Sequence, residues 1–410
     1  MHLPRPSDAV EPPVTVVGIG ADGWAGLAVN SRAAVERAEV IVGSARQLGL
    51  VPASLPAERV PWPSPMSEAL PGMFERHAGR ALVVLASGDP MLSGIGTTLT
   101  RLLGADRVRV LPAPSSVSLA CARLGWAAEE TQVVSLVGRP LELLHPHVSP
   151  GRRLLVLGSD GTTPGRVAAL LTDRGYGPSP MTVLGELGGP DEEVRTGTAA
   201  TWSARTPALA ITAVECRADP GTVPLPTVPG LPDDVYESDG QLTKSDVRAV
   251  TLARLAPVPG QRLWDVGAGS GSIGIEWMRT HPSCRAVAVE ASAERAARIE
   301  RNAARLGVPA LQVSNGRAPD VLPELAAPDA VFIGGGLTTP GLVEACWAAL
   351  PSGGRLVANA VTVESEAVLA DWFARVGGDL VRIGVQRAEP VGRFTGWKPA
   401  MPVTIWSLRR

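Results

Sequence analysis

The sequence predicts a two-domain α/β protein, and three observations predict it. Apolar, strand-like runs alternate with Ala/Arg/Glu/Leu-rich helical runs along most of the 410 residues. A proline-rich stretch, Asp219–Asp234, interrupts that alternation near the middle. Each side of the interruption has its own glycine-rich turn between a strand-like and a helix-like run. The length exceeds one ordinary core and fits two or three domains.

Before the interruption, strands are expected at Val14–Gly18, Val40–Val42, Ala81–Ala86, Val108–Leu111, Gln132–Leu136, Arg153–Leu157, Met181–Leu184 and Ala208–Val214. Helices are expected at Ser31–Arg37, Gly94–Leu103, Val117–Leu124 and Gly165–Arg174. The strand content after Gln132 reads as a second small lobe, so the first domain, 14–218, divides near residue 130. Residues 1–13 form a polar, Pro-rich extension without the apolar core of a signal peptide. Residues 219–234 contain five prolines, which remove backbone donors and favour extended geometry, as in a semi-rigid linker. The second domain, 235–410, carries strands at Arg262–Val266, Arg285–Val289, Leu311–Ser314, Ala330–Ile333 and Arg355–Ala358. A strand pair, Leu380–Gln386 and Met401–Ser407, closes the chain.

Composition narrows the function. Hydrophobic content of 45% and charged content of 19% are globular values. A net charge of -2 gives no reason to expect nucleic acid or an anionic membrane as partner. No apolar run approaches the ~20 residues that span a bilayer, so a soluble, cytoplasmic protein is expected. Cys121, Cys216, Cys284 and Cys346 are scattered without a CxxC pair, and the histidines have no ligand spacing, so no metal site is expected. Of the basic residues only Lys244 and Lys398 are lysines. Arginine suits bidentate binding of carboxylates, which leaves an acidic ligand open.

The sharpest motif is Leu263-Trp264-Asp265-Val266-Gly267-Ala268-Gly269-Ser270-Gly271, an apolar strand entering a glycine turn before a helix at Ser272–Met278. Alternate glycines let the chain turn tightly and let a ligand approach bare backbone. Glu290 ends the next strand about 20 residues on, where a carboxylate can accept from both ribose hydroxyls. A nicotinamide site wants G-x-G-x-x-G, and its last glycine falls on Ser272. The G-x-G-x-G spacing, with an acid two residues before it, points to a methyltransferase; dinucleotide binding and a purely structural turn are the competing readings. Gly316-Arg317-Ala318-Pro319 follows the third strand, where an adenine is usually bracketed. Gly334–Gly336 ends the fourth, and Asn359 and Thr362 the fifth, all toward one rim.

In the first domain three turns end successive strands: Gly18-Ile19-Gly20-Ala21-Asp22-Gly23, Ser87-Gly88-Asp89-Pro90, and Pro112-Ala113-Pro114-Ser115-Ser116. Each alone is an ordinary turn. Together, at the carboxyl ends of neighbouring strands, they line one cleft.

With VVGIGADG, GSARQL, LASGDPMLSGIG, LPAPSSVSLACARLGW, VVSLVGRP and GELGGPDEEV, residues from about Val14 to Val214 resemble the tetrapyrrole (corrin/porphyrin) methylases. With GLPDDVYESDGQLTKSDVRAV, WDVGAGSGSIGIEW, VAVE and ANAVTVESE, the remainder resembles the decarboxylating precorrin methylases of Rossmann-like, class I methyltransferase fold. The resemblance implies a tetrapyrrole-methylase-type domain of two α/β lobes followed by that Rossmann-like domain, and an enzyme of cobalamin biosynthesis acting on a precorrin. It implies two S-adenosyl-L-methionine sites, methylation at C5 by the first domain, and methylation at C15 with decarboxylation of the ring C acetate by the second. It further implies that Thr243, Gly267, Ala268, Gly269, Ser270, Gly271, Glu290 and Ala318 hold one cofactor. Gly18, Gly20, Ser87, Gly88, Asp89, Pro90, Ser115 and Ser116 match the cofactor cleft of the other. Lys244, Arg248, Arg139 and Asn359 are candidates for substrate binding, a solvated helix face being the alternative for Lys244 and Arg248. Members often read SLHGR where this chain has Ser135-Leu136-Val137-Gly138-Arg139, so a proton-handling role there falls away. Self-association is also implied. An NAD(P)-dependent oxidoreductase and a non-catalytic sensor of the cofactor or a tetrapyrrole remain the rival readings.

Overall fold

The computed structural model describes residues 13–410; the expected extension, apart from Pro13, lies outside the described residues. Two compact units result. One comprises the described residues up to Arg139 with Pro150–Thr222, the other Pro140–Ser149 and Val223–Arg410.

The first lobe of the first unit contains β1 (Val14–Ile19), α1 (Gly23–Gly26), α2 (Val29–Glu36), β2 (Val40–Gly43), α3 (Ala45–Gly49), β3 (Glu58–Pro61), α4 (Met66–Arg76), β4 (Leu82–Ser87), α5 (Ile95–Leu103) and β5 (Val108–Leu111). Its sheet has the order β3-β2-β4-β1-β5, all parallel. The near-continuous apolar runs of β1, β2 and β4 follow, because both faces are covered. Val16, Val42 and Val84 face one buried cluster, and Val17, Ile41 and Leu85 face the other. After α6 (Ser116–Leu124) the second lobe holds β6 (Thr131–Ser135), β7 (Arg153–Leu157), α7 (Thr163–Asp173), β8 (Pro180–Gly185), β9 (Glu193–Thr198) and β10 (Ala210–Glu215). Their order is β6-β7-β10-β8-β9, with only β6 and β7 parallel.

The second unit contains α8 (Ser245–Leu255), β11 (Arg262–Val266), α9 (Ser272–Thr280), β12 (Arg285–Glu290), α10 (Ala293–Arg305), β13 (Gln312–Asn315), β14 (Ala330–Ile333), α11 (Leu342–Ala349), β15 (Arg355–Ala360), α12 (Val363–Val376), β16 (Asp379–Ile383), β17 (Gln386–Val391), β18 (Phe394–Pro399) and β19 (Val403–Arg409). Seven strands form the sheet β13-β12-β11-β14-β15-β19-β16, parallel except for β19, which runs antiparallel to both its neighbours. Along β11, Leu263 enters the cluster under α9 while Trp264 and Val266 enter the opposite one, the period-2 alternation of a strand. In α10, Ala296, Ile299 and Ala303 are buried at helical spacing, and Ser292 caps its first turn.

One expectation needs correction. The proline-rich stretch, expected as a semi-rigid linker, packs in part on the second unit: Leu225 and Leu231 are buried in that unit's core. Arg279 donates to the carbonyls of Leu225 and Pro226 at 2.9 and 3.2 Å. The second unit therefore begins near Val223, twelve residues before the expected boundary at 235. The final strand pair does form, as β16 against β19, but β17 and β18 intervene as a separate hairpin.

Candidate functional site

Each unit has a cavity at the carboxyl ends of neighbouring parallel strands. In the second unit, β11 and β14 are adjacent at the point where the strand order reverses, the place where open α/β sheets bind ligands. A cavity of about 930 Å³ opens there. Gly267, Gly269 and Gly271 adopt φ of +69°, +59° and +76°, conformations that L side chains rarely take. A Cβ at Gly267 would lie 2.7 Å from the Gly335 nitrogen, so the loops after β11 and β14 can meet only as bare backbone. Gly269 is different: a Cβ there would meet only the Gln241 carbonyl, at 3.4 Å, so its backbone stands open to a ligand.

Glu290, at the end of β12, is buried. Its Oε2 accepts from the Gly269 amide at 2.9 Å and its Oε1 from the Ser292 amide at 3.0 Å. Two of its roughly four acceptor positions are thereby used and the carboxylate is locked in place. Asp265 sits fully buried behind the loop; one oxygen accepts from the Gly274 amide at 2.8 Å and the other has no partner among the described residues. Burial pushes its carboxyl up to about 7, against the pull of that amide and with help from the Glu290 charge.

Thr243, Lys244, Gly267, Ala268, Gly269, Ser270, Glu290, Ala318 and Asn359 all line this cavity. Gly271 does not; it packs on Ile299, which a Cβ would approach to 2.7 Å. Asn359 donates to Thr251 Oγ1 at 2.9 Å, and its own Oδ1 is buried without a partner among the described residues. Lys244 is half-exposed, 3.8 Å from Asp233.

Arg248 is a correction. Its side chain is fully buried. Its Nε donates to Glu276 at 2.5 Å, and its Nη groups reach Asp233 and the carbonyls of Thr243 and Leu231. Glu276 in turn accepts from Tyr236 Oη at 2.9 Å and from the amides of Gly230 and Leu231. This guanidinium braces the Gly230–Thr243 segment against α9 and has no face left for a substrate carboxylate. A helical stripe could have disclosed it, since Arg248, Thr251, Leu252 and Leu255 share one buried face. Arg295 and Arg387 also line the cavity, paired with Asp239 and Asp246. They come from α10 and β17, and no sequence spacing links them to the glycine loop.

In the first unit, the three predicted turns do converge. Register pairs Ile19 with Ser87 and Val17 with Leu111, and the Gly88 amide donates to the Ile19 carbonyl at 3.1 Å. A cavity of about 390 Å³ lies between the lobes, lined by Gly20, Ser87, Gly88 and Ser116 among others. Gly18 lies behind it: a Cβ there would meet the Gly88 carbonyl at 2.1 Å, so this glycine permits contact between the loops. Asp89 and Pro90 shape the second turn. Asp89 accepts from the Met91 amide at 2.8 Å, and the Pro90 carbonyl closes on Gly96. Ser115 is buried and caps α6 by accepting from the Ser118 amide at 3.0 Å. Arg139 lies at the edge of this site. It is exposed and stands outside the cavity wall, to which this turn contributes Val137.

No helix among the described residues is long and apolar enough to cross a membrane, and no group of three His, Cys, Asp or Glu residues among them could hold a metal ion.

The second unit is a Rossmann-like methyltransferase domain: the glycine turn, the acid on the neighbouring strand and the bare loop after β14 surround one cavity, and Ser272 replaces the last dinucleotide glycine as the first residue of α9. Residues 13–202 match the family described as Tetrapyrrole (Corrin/Porphyrin) Methylases, and residues 234–410 the one described as Precorrin methyltransferase domain. A Sinorhizobium sp protein named Precorrin-6Y C(5,15)-methyltransferase [decarboxylating] is 50% identical over 97% of this chain and 96% of its own length. A Pyrobaculum calidifontis protein named Probable cobalt-precorrin-6B C(15)-methyltransferase (decarboxylating) is 35% identical over 43% of this chain and 94% of its own. A Salmonella typhimurium protein named Cobalt-precorrin-7 C(5)-methyltransferase is 32% identical over 42% of this chain and 84% of its own. The chain belongs to the decarboxylating precorrin-6Y C(5,15)-methyltransferase family.

Proposed function

We propose that the chain is a bifunctional precorrin methylase with one S-adenosyl-L-methionine site in each unit. The N-terminal unit methylates C5 of a precorrin; the C-terminal unit methylates C15 and releases the ring C acetate carboxyl as carbon dioxide. The observation that carries this reading is the pair of cavities, each built by the carboxyl ends of adjacent parallel strands. Relatives named for a C(15) and a C(5) reaction separately, each aligned to less than half of this chain, support two separable steps.

Bound S-adenosylmethionine supplies a methyl group already activated on a sulfonium. The chain's residues therefore need to hold, orient and desolvate, and alignment alone is worth on the order of 7–11 kcal/mol. In the C-terminal site Thr243, the Gly267–Gly271 loop, Glu290 and Ala318 hold the donor, Glu290 through its remaining lone pairs. In the N-terminal site Gly20, Ser87, Gly88 and Ser116 face the donor, while Gly18, Asp89, Pro90 and Ser115 fix the loops that carry them. Lys244 contacts a substrate carboxylate at the rim of the C-terminal cavity, and Asn359 lines the same cavity. The enzyme is cytoplasmic and self-associates. Turnover of a precorrin-6Y substrate tests the whole reading: S-adenosylhomocysteine and carbon dioxide should form at two to one. Oxidation of NADH in its place, or binding without turnover, would overturn it.

A further inference from the structure

Arg46 belongs to the GSARQL motif, for which the cofactor reading has no use. Ser44 and Gln47 form a capping box at α3: the Gln47 amide donates to Ser44 Oγ at 3.3 Å, and the Ser44 amide donates to Gln47 Oε1 at 2.8 Å. Gln47 Nε2 then donates to Ser87 Oγ at 3.1 Å, tying α3 to the turn after β4. Arg46 is thus presented from a fixed backbone into the cavity between the lobes. Among the described residues that line this cavity, it alone is charged. The other walls are apolar or neutral and include the flat indole of Trp62.

Among the described residues its guanidinium has one partner. Arg46 Nη2 lies 3.4 Å from Glu186 Oε2, across the cleft at the end of β8, and both side chains are about one-third exposed. A pair that long and that wet is weak. Glu186 also has φ of +47°, held by its amide's bond to the Leu209 carbonyl. Such backbone is costly for a residue with a Cβ and tends to occur at ligand-handling positions. Ser93, lining the same cavity, is another with positive φ, at +54°.

We propose that Arg46 is the substrate-carboxylate anchor of the N-terminal site, and that Glu186 is a stand-in carboxylate which the substrate displaces. A guanidinium takes one carboxylate side-on through two parallel N–H bonds, and a decarboxylating enzyme's substrate carries carboxylates by definition. The exchange leaves the number of ion pairs unchanged while drawing the macrocycle over Trp62. This inference rests on the reading that the N-terminal cleft binds the precorrin.

The test is steady-state kinetics of C5 methylation, followed by product mass, with each substrate varied in turn. Arg46→Ala should raise KM for the precorrin on the order of 10- to 100-fold, the loss expected when a hydrogen bond to a charged group disappears. KM for S-adenosylmethionine and carbon dioxide release should stay as in the wild type, and Arg46→Lys should recover part of the loss. Glu186→Gln should move the other way, lowering precorrin KM roughly two- to fivefold by removing the competitor. An unchanged precorrin KM in Arg46→Ala overturns the proposal. So does a shift confined to S-adenosylmethionine, or a Glu186→Gln variant that worsens in step with Arg46→Ala, as a merely structural pair would. A wild type that never methylates C5 overturns the underlying reading together with it.

Discussion

Three buried acids and one buried arginine decide the behaviour of the second unit at the scale of single residues. Glu290 joins the glycine loop to the end of β12, so Glu290→Ala should weaken S-adenosylmethionine binding at that site on the order of 10- to 100-fold. Calorimetric titration checks this, and an unchanged affinity counts against the assignment. Arg248 and Glu276 form a buried pair. Arg248→Ala leaves Glu276 buried and uncompensated, which should cost about 3–5 kcal/mol of unfolding free energy, read by urea denaturation. Asp265 gives a signed pH effect. Its carboxyl is raised in the folded chain to about 7 from 3.8. Between those values the folded state holds a proton that the unfolded state releases, so stability falls as pH rises through the window and levels off above it. Asp265→Asn lacks that titration. Its melting temperature should gain on the wild type as pH rises through the window, whereas a pH-independent difference would contradict the burial argument. Glu290 was legible because its distance from the glycine loop is fixed by one helix and one strand. Arg248 was misread because TKSDVR looks like a polar surface until its buried i, i+4, i+7 stripe is traced. Arg46 was legible as part of a motif, yet its cleft and its partner Glu186 come from a fold in which residues 140 apart meet.

For elements, legibility followed burial. Strands buried on both faces, such as β2, β4, β11 and β14, write themselves as short apolar runs. Val108–Leu111 and Arg262–Val266 lie where the sequence puts them. Strands with little buried surface leave no such trace: β3 is four residues at a sheet edge, β9 is half-exposed, and β17 and β18 pair mainly with each other. Helix α4 was hidden by Pro71 within it. The proline-rich stretch shows the opposite failure. Its prolines do favour extended backbone, but Leu225 and Leu231 find a core and Glu276 and Arg279 bind its backbone. At this scale Gly267→Ala is the informative change. It forces a side chain into φ of +69° and against the Gly335 nitrogen. It should destabilise the second unit by at least about 1–2 kcal/mol and weaken S-adenosylmethionine binding there. An unchanged melting profile in scanning calorimetry would contradict the close approach of the two loops.

Across the whole molecule, two units of different sheet topology each place a cavity over the ends of parallel strands. The two-domain division and the family were legible because glycine turns and strand ends are local. The domain boundary and the carboxylate contacts were not, because they depend on which distant segments find a buried partner. The central claim is a separate methyl-donor site in each unit, and titration calorimetry of S-adenosylmethionine into the intact chain tests it most directly. The account predicts two equivalents bound per chain; saturation at one equivalent, or none, would contradict it.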